Sequence, residues 1–222
     1  MNYCALIGDI VDSRQIEDRE NLKVELKEVI AKINNRYENQ LAADFMIYAG
    51  DEIQGLLSEP SLSYEIIKEI RDLISPIEIV FGVGIGELST DLPSQPITWE
   101  LDGECYHRAR NILKEAKNKQ PGICYSFGYS DDSKDKMESE TVLAPASKLI
   151  NSLIQFIESN LEHRTKRQKQ MVKLYEKYRA QKKVAESLDV TQGAVSKVLN
   201  KALYYEIKEA ERNIVDYLES ID

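Results

Sequence analysis

The sequence predicts an α+β protein in which a mixed-sheet domain is followed by a smaller, all-helical domain. Over roughly the first 130 residues, short apolar runs alternate with apolar residues at helical spacing, whereas only helical spacing remains after Pro145. The charge also changes along the chain. Residues 164–201 carry a net charge of +8, from eleven Lys or Arg and three acidic residues, which leaves −17 for the rest of a chain whose total is −9.

The elements of the first domain follow from apolar spacing and turn residues. Strands are predicted at 3–10, 45–48, 53–57, 77–86 and 123–127, and helices at about 18–38, 62–75 and 103–117. The residues between the second and third strands, 49–52, predict a tight hairpin turn. Three glycines in the fourth strand (82, 84 and 86) predict close approach of another backbone or of a ligand. The charged segment 131–140 predicts a solvated loop or hairpin end.

The second half of the chain is predicted to be helical throughout. Helical spacing predicts helices at 145–161, 165–178, 181–188, 192–200 and 204–218. The first of these is interpreted as a connector, so the predicted limits are 1–142 for the sheet domain, 143–163 for the connector and 164–222 for the last domain. The last helix is too long to bury its apolar stripe on a small bundle. It therefore predicts either a homodimer contact or packing against the first domain.

Residues 181–200 predict two helices that meet at a fixed angle. Val184 and Leu188 would face inward on the first helix, and Val195 on the second. Asp189 occupies the turn, where the backbone is left-handed and Asp is better tolerated than most residues. Thr191 is a suitable N-cap for the second helix.

This segment resembles the helix-turn-helix of bacterial regulators and of sigma factors, and the resemblance implies DNA binding. A basic segment in an otherwise acidic chain is typical of a module that binds a polyanion. The alternative is a plain three-helix bundle whose basic surface binds a protein. The residues expected to contact DNA are polar and face outward: Lys182, Lys183, Thr191, Gln192, Ser196, Lys197, Asn200 and Lys201.

Two carboxylates in the first domain predict a ligand site. Asp9 ends the first strand and Asp51 lies in the hairpin turn, each directly after a glycine that is expected to leave room for a bulky group such as phosphate. If the hairpin pairs beside the first strand, both acids lie at one end of the sheet and would suit Mg²⁺ holding a triphosphate. Ser13 and Arg14 precede the first helix, where an anion is favoured. The alternative is that the acids only cap and solvate the end of the sheet.

Four segments, 8–11, 49–52, 82–88 and 102–110, resemble in order the catalytic domain of class III nucleotidyl cyclases and, more distantly, the diguanylate cyclase fold. The resemblance implies a ferredoxin-like, nucleotidyl-cyclase-like sheet domain, metal ligation by Asp9 and Asp51, and a ligand contact from Arg108. His107 and Asn111 stand where the cyclases have Asn and Arg. Loss of positive charge at that place is costly for phosphoryl transfer, so we expect nucleotide binding without cyclisation.

The opening residues 4–14, the hairpin 50–57 and the helix-turn-helix together resemble the SatD family of bacterial proteins. This resemblance covers nearly the whole chain. It implies a bacterial, cytoplasmic setting but does not imply a particular biochemical activity.

Composition supports that setting. No apolar stretch is long enough to cross a bilayer, and the start of the chain lacks the basic region of a signal peptide. The three cysteines are odd in number and widely spaced, which predicts reduced core thiols. With only two histidines, a histidine-rich metal site is excluded.

Together, these observations predict a DNA-binding transcriptional regulator whose first domain senses a phosphorylated ligand. Two alternatives remain open from the sequence. One is a metal-dependent enzyme that binds nucleotides or transfers a nucleotidyl group, with the last domain as a targeting module. The other is a helix-turn-helix that serves to dock a protein.

Overall fold

The structure is a computed structural model that describes residues 2–118, 122–127 and 145–221. The chain divides into two compact units, each defined by contacts among its own residues. One consists of Met1–Ser152 together with Val215–Asp222, and the other of Leu153–Ile214. We call them the sheet unit and the helical unit. The predicted α+β class, a mixed sheet followed by helices, is confirmed. The loop predicted at 131–140 lies outside the described residues.

Among the described residues, five strands form one mixed sheet: β1 Tyr3–Ile10, β2 Leu41–Tyr48, β3 Glu52–Leu57, β4 Ile79–Gly86 and β5 Ile123–Ser126. Their order in the sheet is β2-β3-β1-β4-β5. All neighbours are antiparallel except β4 and β5, which are parallel. The predicted hairpin of β2 and β3 does pair beside β1. β2 begins four residues earlier than predicted, because register shifts on either side of Ala43 interrupt its alternation.

The helices lie close to the predicted ranges. They are α1 Arg19–Arg36, α2 Ser63–Ile74, α3 Glu104–Ala116, α4 Pro145–Glu162, α5 Lys166–Tyr178, α6 Gln181–Leu188, α7 Gln192–Lys201 and α8 Tyr204–Glu219. Three 3₁₀ turns, Ser13–Gln15, Pro60–Leu62 and Thr98–Glu100, were not predicted, because three residues are too few to establish a period.

α3 packs directly on one face of the sheet. Gly82 and Gly84 of β4 make this possible, since a Cβ at either position would overlap the backbone of α3 at Cys105 or Ala109. The predicted close approach at these glycines is therefore an approach of backbone. The apolar residues on this face, including Ile7 of β1, are buried against α3.

The opposite face of the sheet is covered by other helices. α1 contacts β2, and α2 contacts both α1 and β4. The hydroxyl of Ser63 on α2 is 2.9 Å from that of Tyr125 on β5, and both side chains are buried. The central strands are therefore buried on both faces, which explains their long apolar runs.

Asparagine side chains form hydrogen bonds with the backbone of both edge strands of the sheet. Asn34 of α1 exchanges two hydrogen bonds with the backbone of Phe45 on β2, of 2.8 and 2.9 Å. Asn151 of α4 does the same with Tyr125 on β5, at 2.7 and 2.9 Å. The start of α4 therefore belongs to the sheet unit. The boundary between the two units falls inside α4, after Ser152, whereas 143–163 was predicted as a separate connector.

The helical unit contains the predicted helix-turn-helix. α6 and α7 are joined at Asp189, which has the expected left-handed conformation (φ 51°, ψ 51°). The hydroxyl of Thr191 caps α7 by accepting from the backbone N–H of Ala194 at 3.2 Å. Val184 and Val195 are fully buried in the core of the unit.

α8 buries its apolar stripe within the single chain: Tyr204, Ile207, Ile214 and Leu218 are at most 4% exposed. A homodimer is therefore not required to cover this stripe. The end of the chain lies with the sheet unit, where Asn2 donates to the Ile221 carbonyl at 2.9 Å and the Tyr217 ring is 5.8 Å from that of Phe127. These contacts explain why the units divide within the predicted domain 164–222.

The three cysteines, Cys4, Cys105 and Cys124, are buried and free, as predicted. Burial raises the pKa of the Cys105 thiol to about 11, so this thiol is neutral at physiological pH. None of the described helices combines the length and the apolar character needed to cross a bilayer.

Candidate functional site

The two predicted carboxylate segments meet at one end of the sheet. The β1–β3 register places Asp9 directly opposite Glu52, the residue after Asp51. The backbone N–H of Ile10 also donates to the Asp51 carbonyl at 3.2 Å. The Asp9 and Asp51 segments therefore lie at the same end of the sheet, and Glu52 adds a third acid in the same segment.

Each of these carboxylates has a partner within the chain. The ammonium of Lys117, just past the end of α3, lies 2.8 Å from Oδ2 of Asp9. The hydroxyl of Ser13 donates to Oδ2 of Asp51 at 2.6 Å. Glu52 accepts from its neighbour Gln54 at 2.5 Å and lies 3.5 Å from the guanidinium of Arg110 on α3.

This arrangement does not fit the divalent cation that the cyclase resemblance implies. A cation held by Asp9 and Asp51 would lie beside the Lys117 ammonium, which contacts one oxygen of Asp9 and would repel it as a like charge, while Ser13 contacts one oxygen of Asp51. Within the described ranges, no group of three His, Cys, Asp or Glu side chains is arranged to hold a metal ion.

The two glycines before the acids differ in the space around them. A Cβ at Gly8 would come within 2.6 Å of the Phe81 ring, so the space beside Gly8 is filled by a core side chain. Gly50 has φ +93°, which favours glycine for its backbone conformation. The expectation of space for a bulky group is wrong at Gly8.

Ser13 and Arg14 lie in the 3₁₀ turn Ser13–Gln15. The Ser13 side chain is mostly buried and directed to Asp51, whereas Arg14 is exposed. Three residues are too few to form the aligned N–H groups of a helix N-terminus. The structure therefore brings Ser13 to the carboxylates but offers no helix terminus for an anion there.

Arg108 lies away from the carboxylates. Its guanidinium donates to the carbonyl of Ile85 and pairs with Glu104 at 2.7 Å. Ile85 is five residues along β4 from Val80, the partner of Asp9, or about 17 Å at the rise of a strand. Arg108 therefore does not lie beside Asp9, because the rotation of α3 turns Arg110 toward Glu52 instead. A contact between Arg108 and a ligand stays a prediction.

Sequence reasoning missed four side chains at this end of the sheet unit: Tyr48, Trp99, Arg110 and Lys117. Arg110 and Lys117 are seven residues apart, and Lys114 lies between them, all three exposed. This helical spacing of cations is visible in the sequence and could have predicted a basic face of α3. The contact between the Tyr48 and Trp99 rings has no comparable signal, since 51 residues separate them.

In the helical unit, the structure leaves the residues expected to contact DNA on the surface. Ser196 is half-buried, and the other seven are exposed: Lys182, Lys183, Thr191, Gln192, Lys197, Asn200 and Lys201. Four of these seven are lysines. The face of α7 that carries Gln192 and Lys197 is thus open to solvent.

Several solved structures show a distant similarity to the chain. A bacterial light-regulated adenylyl cyclase is 10% identical with a TM-score of 0.42, over 57% of this chain and 43% of that one. A guanylyl cyclase domain of the RhoGC fusion protein from the aquatic fungus Blastocladiella emersonii is 15% identical with a TM-score of 0.42, over 56% of this chain and 78% of that one. A regulator of polyketide synthase expression from Bifidobacterium adolescentis is 10% identical, with a TM-score of 0.25 over 99% of this chain and 84% of that one. None of these similarities supports the assignment of a site.

A comparison with the curated proteins finds no match. The family comparison is more informative. The model of the SatD family matches residues 3–215, which include both the carboxylate end of the sheet and the helix-turn-helix. By this match over nearly its whole length, the chain belongs to the SatD family.

Proposed function

We infer that this chain is a DNA-binding regulator whose helical unit contacts DNA and whose sheet unit senses a phosphorylated ligand. The observation that carries the proposal is the exposed polar face of α7. Gln192 and Lys197 are exposed and Ser196 is half-buried, while Val195 and Leu199 on the opposite face are fully buried. A helix with one polar and one apolar face can enter the major groove with its polar face while its apolar face packs on the core of the helical unit.

The lysines of α6 and α7 support the same function. Lys182, Lys183, Lys197 and Lys201 are exposed, and they make no ion pair within the described part of the chain. Cations that are not neutralised by carboxylates are available to DNA phosphates. Their contacts would release counterions, so binding is expected to weaken steeply with salt.

Arg164 has a structural role in the same unit. It donates two hydrogen bonds, of 2.9 and 3.1 Å, to the carbonyl of Ala202 at the end of α7. Burial lowers the pKa of its guanidinium. Although Arg164 contributes to the net charge of +8, we do not include it among the DNA contacts.

The sensing half of the proposal is supported by the exposed cations at the carboxylate end of the sheet, Arg110 and Lys117. For regulation, the ligand must bind more tightly to one arrangement of the protein than to another. Nucleotidyl transfer, the enzymatic alternative, needs positive charge preorganised at the transferring phosphate. Since Arg108 is paired with Glu104 and Asp9 with Lys117, the geometry favours binding over transfer.

The experiment that tests DNA binding is selection of bound fragments from genomic DNA, with and without nucleotide. We expect a recurrent sequence that is enriched over unbound fragments, and a different yield when nucleotide is present. No enrichment in either condition would reject the DNA-binding proposal and favour docking to a protein. Equal yields with every common nucleotide would reject only the sensing half.

Variants of α7 separate contacts to phosphate from contacts to bases. Lys197→Ala should weaken binding to all sequences and lower the slope of log affinity against log salt by about one. Gln192→Ala should instead relax the preference at one base pair, at a cost of about 1–3 kcal/mol. Lys32→Ala, which removes an exposed lysine from α1, is the matched control and should bind like the wild type. If both α7 variants bind like the wild type as well, α7 is not the recognition helix.

A further inference from the structure

A row of polar and aromatic side chains crosses the α3 face of the sheet. The register pairs Tyr48 with Glu52, and Glu52 with Asp9, and residues directly opposite one another point to the same face. At the spacing of neighbouring strands, Tyr48 and Asp9 are about 10 Å apart. Arg110 and Lys117 reach Glu52 and Asp9 from α3. We call these five residues, together with Trp99, the aromatic–cation row.

The ammonium of Lys117 takes the place beside Asp9 that the cyclase resemblance gives to a metal ion. It lies 2.8 Å from the carboxylate, and the Lys117 side chain is 48% exposed. An ammonium has three N–H donors and a guanidinium has five. Lys117 and Arg110 each contact a carboxylate through one nitrogen. Both therefore keep donors for a phosphate that approaches from solvent.

The other end of the row consists of two exposed aromatic rings. The Tyr48 and Trp99 rings lie 6.4 Å apart at 39°, and each residue is 45% exposed. Half-exposed rings offer a face on which a nucleobase can stack. The rings lie on the Glu52 side of the row, and the Lys117 ammonium lies at the far side.

We propose that the aromatic–cation row binds a nucleotide without a divalent cation. The base stacks on Trp99 and Tyr48, and the phosphates lie against Arg110 and Lys117. The contact between Lys117 and Asp9, together with the rings at the other end of the row, assigns this ligand class. The inference rests on the sensing half of the proposed function, and it replaces the metal-dependent site at Asp9 and Asp51 that the sequence suggests.

The test uses the fluorescence of Trp99, the only tryptophan of the chain. The full-length protein is titrated with ADP, GDP, CDP and UDP, first in EDTA and then in Mg²⁺. At least one nucleotide should change the Trp99 emission, with the same Kd in both buffers. Adenosine and pyrophosphate, which carry only the base or only the phosphates, should bind at least tenfold more weakly. Binding that requires Mg²⁺, or no response to any nucleotide, would overturn the inference.

Charge variants distinguish this site from a metal site. Arg110→Gln and Lys117→Gln should each raise the Kd about tenfold or more, because charge-assisted hydrogen bonds to phosphate are lost. Lys32→Gln on α1 is the matched control and should leave the Kd unchanged. Asp9→Asn should leave binding unchanged or tighten it, since it removes a negative charge beside the phosphates. A metal site would instead lose binding, so a tenfold weakening in Asp9→Asn contradicts the inference.

DNA affinity is measured on the same preparations. If nucleotide binding fails while DNA binding persists, the row is wrongly assigned and the DNA-binding half of the proposed function stands. If nucleotide binds as described while no DNA is bound, the inference stands and the DNA-binding half fails. A nucleotide that binds but leaves DNA affinity unchanged removes only the sensing role.

Discussion

At the scale of single residues, glycines decide how closely α3 approaches the sheet. Gly82 and Gly84 leave no side chain between β4 and the helix, so the backbone of α3 lies against the strand itself. Gly193 in α7 is the opposite case, because a Cβ there would meet no atom within 4 Å. Glycine is thus required for packing at Gly82 and Gly84, whereas at Gly193 it only lowers the stability of the helix and could be replaced.

This difference predicts opposite effects of one substitution. Gly84→Ala should lower the free energy of unfolding by about 3 kcal/mol or more, since the new methyl group overlaps the α3 backbone, which cannot move aside cheaply. Gly193→Ala should raise the free energy of unfolding by about 0.5–1 kcal/mol, the usual gain of alanine over glycine inside a helix. Urea unfolding followed by circular dichroism measures both. A Gly84→Ala variant as stable as the wild type would show that α3 does not lie on β4 as described.

At the scale of elements, both edges of the sheet are closed by asparagine carboxamides. An edge strand presents unpaired N–H and C=O groups that can pair with another chain. Asn34 and Asn151 each supply one donor and one acceptor in the geometry of a neighbouring strand. Ser147 adds a similar pair of hydrogen bonds to Phe127, at 2.7 and 3.0 Å. α4 therefore completes β5 in addition to packing beside it.

Removal of one carboxamide tests this role. Asn151→Ala should lower the free energy of unfolding by about 2 kcal/mol or more, because the buried N–H and C=O of Tyr125 lose their partners. Asn160→Ala on the same helix removes only a local bond to Phe156 in an exposed place and should change stability by less than about 0.5 kcal/mol. Thermal unfolding of the two variants gives the comparison. Equal stability of both would show that the edge bonds contribute nothing.

At the scale of the whole molecule, the chain returns to the unit in which it began. α8 starts in the helical unit, and its last residues belong to the sheet unit, where Tyr217 contacts Phe127 and the Ile221 carbonyl accepts from Asn2. α4 likewise has residues in both units.

The Tyr217 ring provides the test of this C-terminal contact. Tyr217→Ala should lower the free energy of unfolding of the sheet unit, reported by Trp99 emission, by about 1–2 kcal/mol, as expected for the loss of an aromatic pair and its apolar contact. Tyr205→Ala is the control, since Tyr205 is similarly exposed on α8 but contacts Tyr175 and Tyr204 in the helical unit. It should change the Trp99 transition by less. An unchanged transition in Tyr217→Ala would contradict the contact.

The sequence by itself determined the elements, their order and the helix-turn-helix, because apolar spacing, caps and turn residues act over a few neighbouring positions. It also predicted that the segments of Asp9 and Asp51 lie at one end of the sheet, since a hairpin beside β1 leaves little freedom of register. Only the tertiary structure decided that Lys117 holds Asp9 and that Arg110, rather than Arg108, faces Glu52. The rotation of α3 on the sheet sets both contacts, and that rotation depends on how the helix packs over Gly82 and Gly84, which local spacing does not encode.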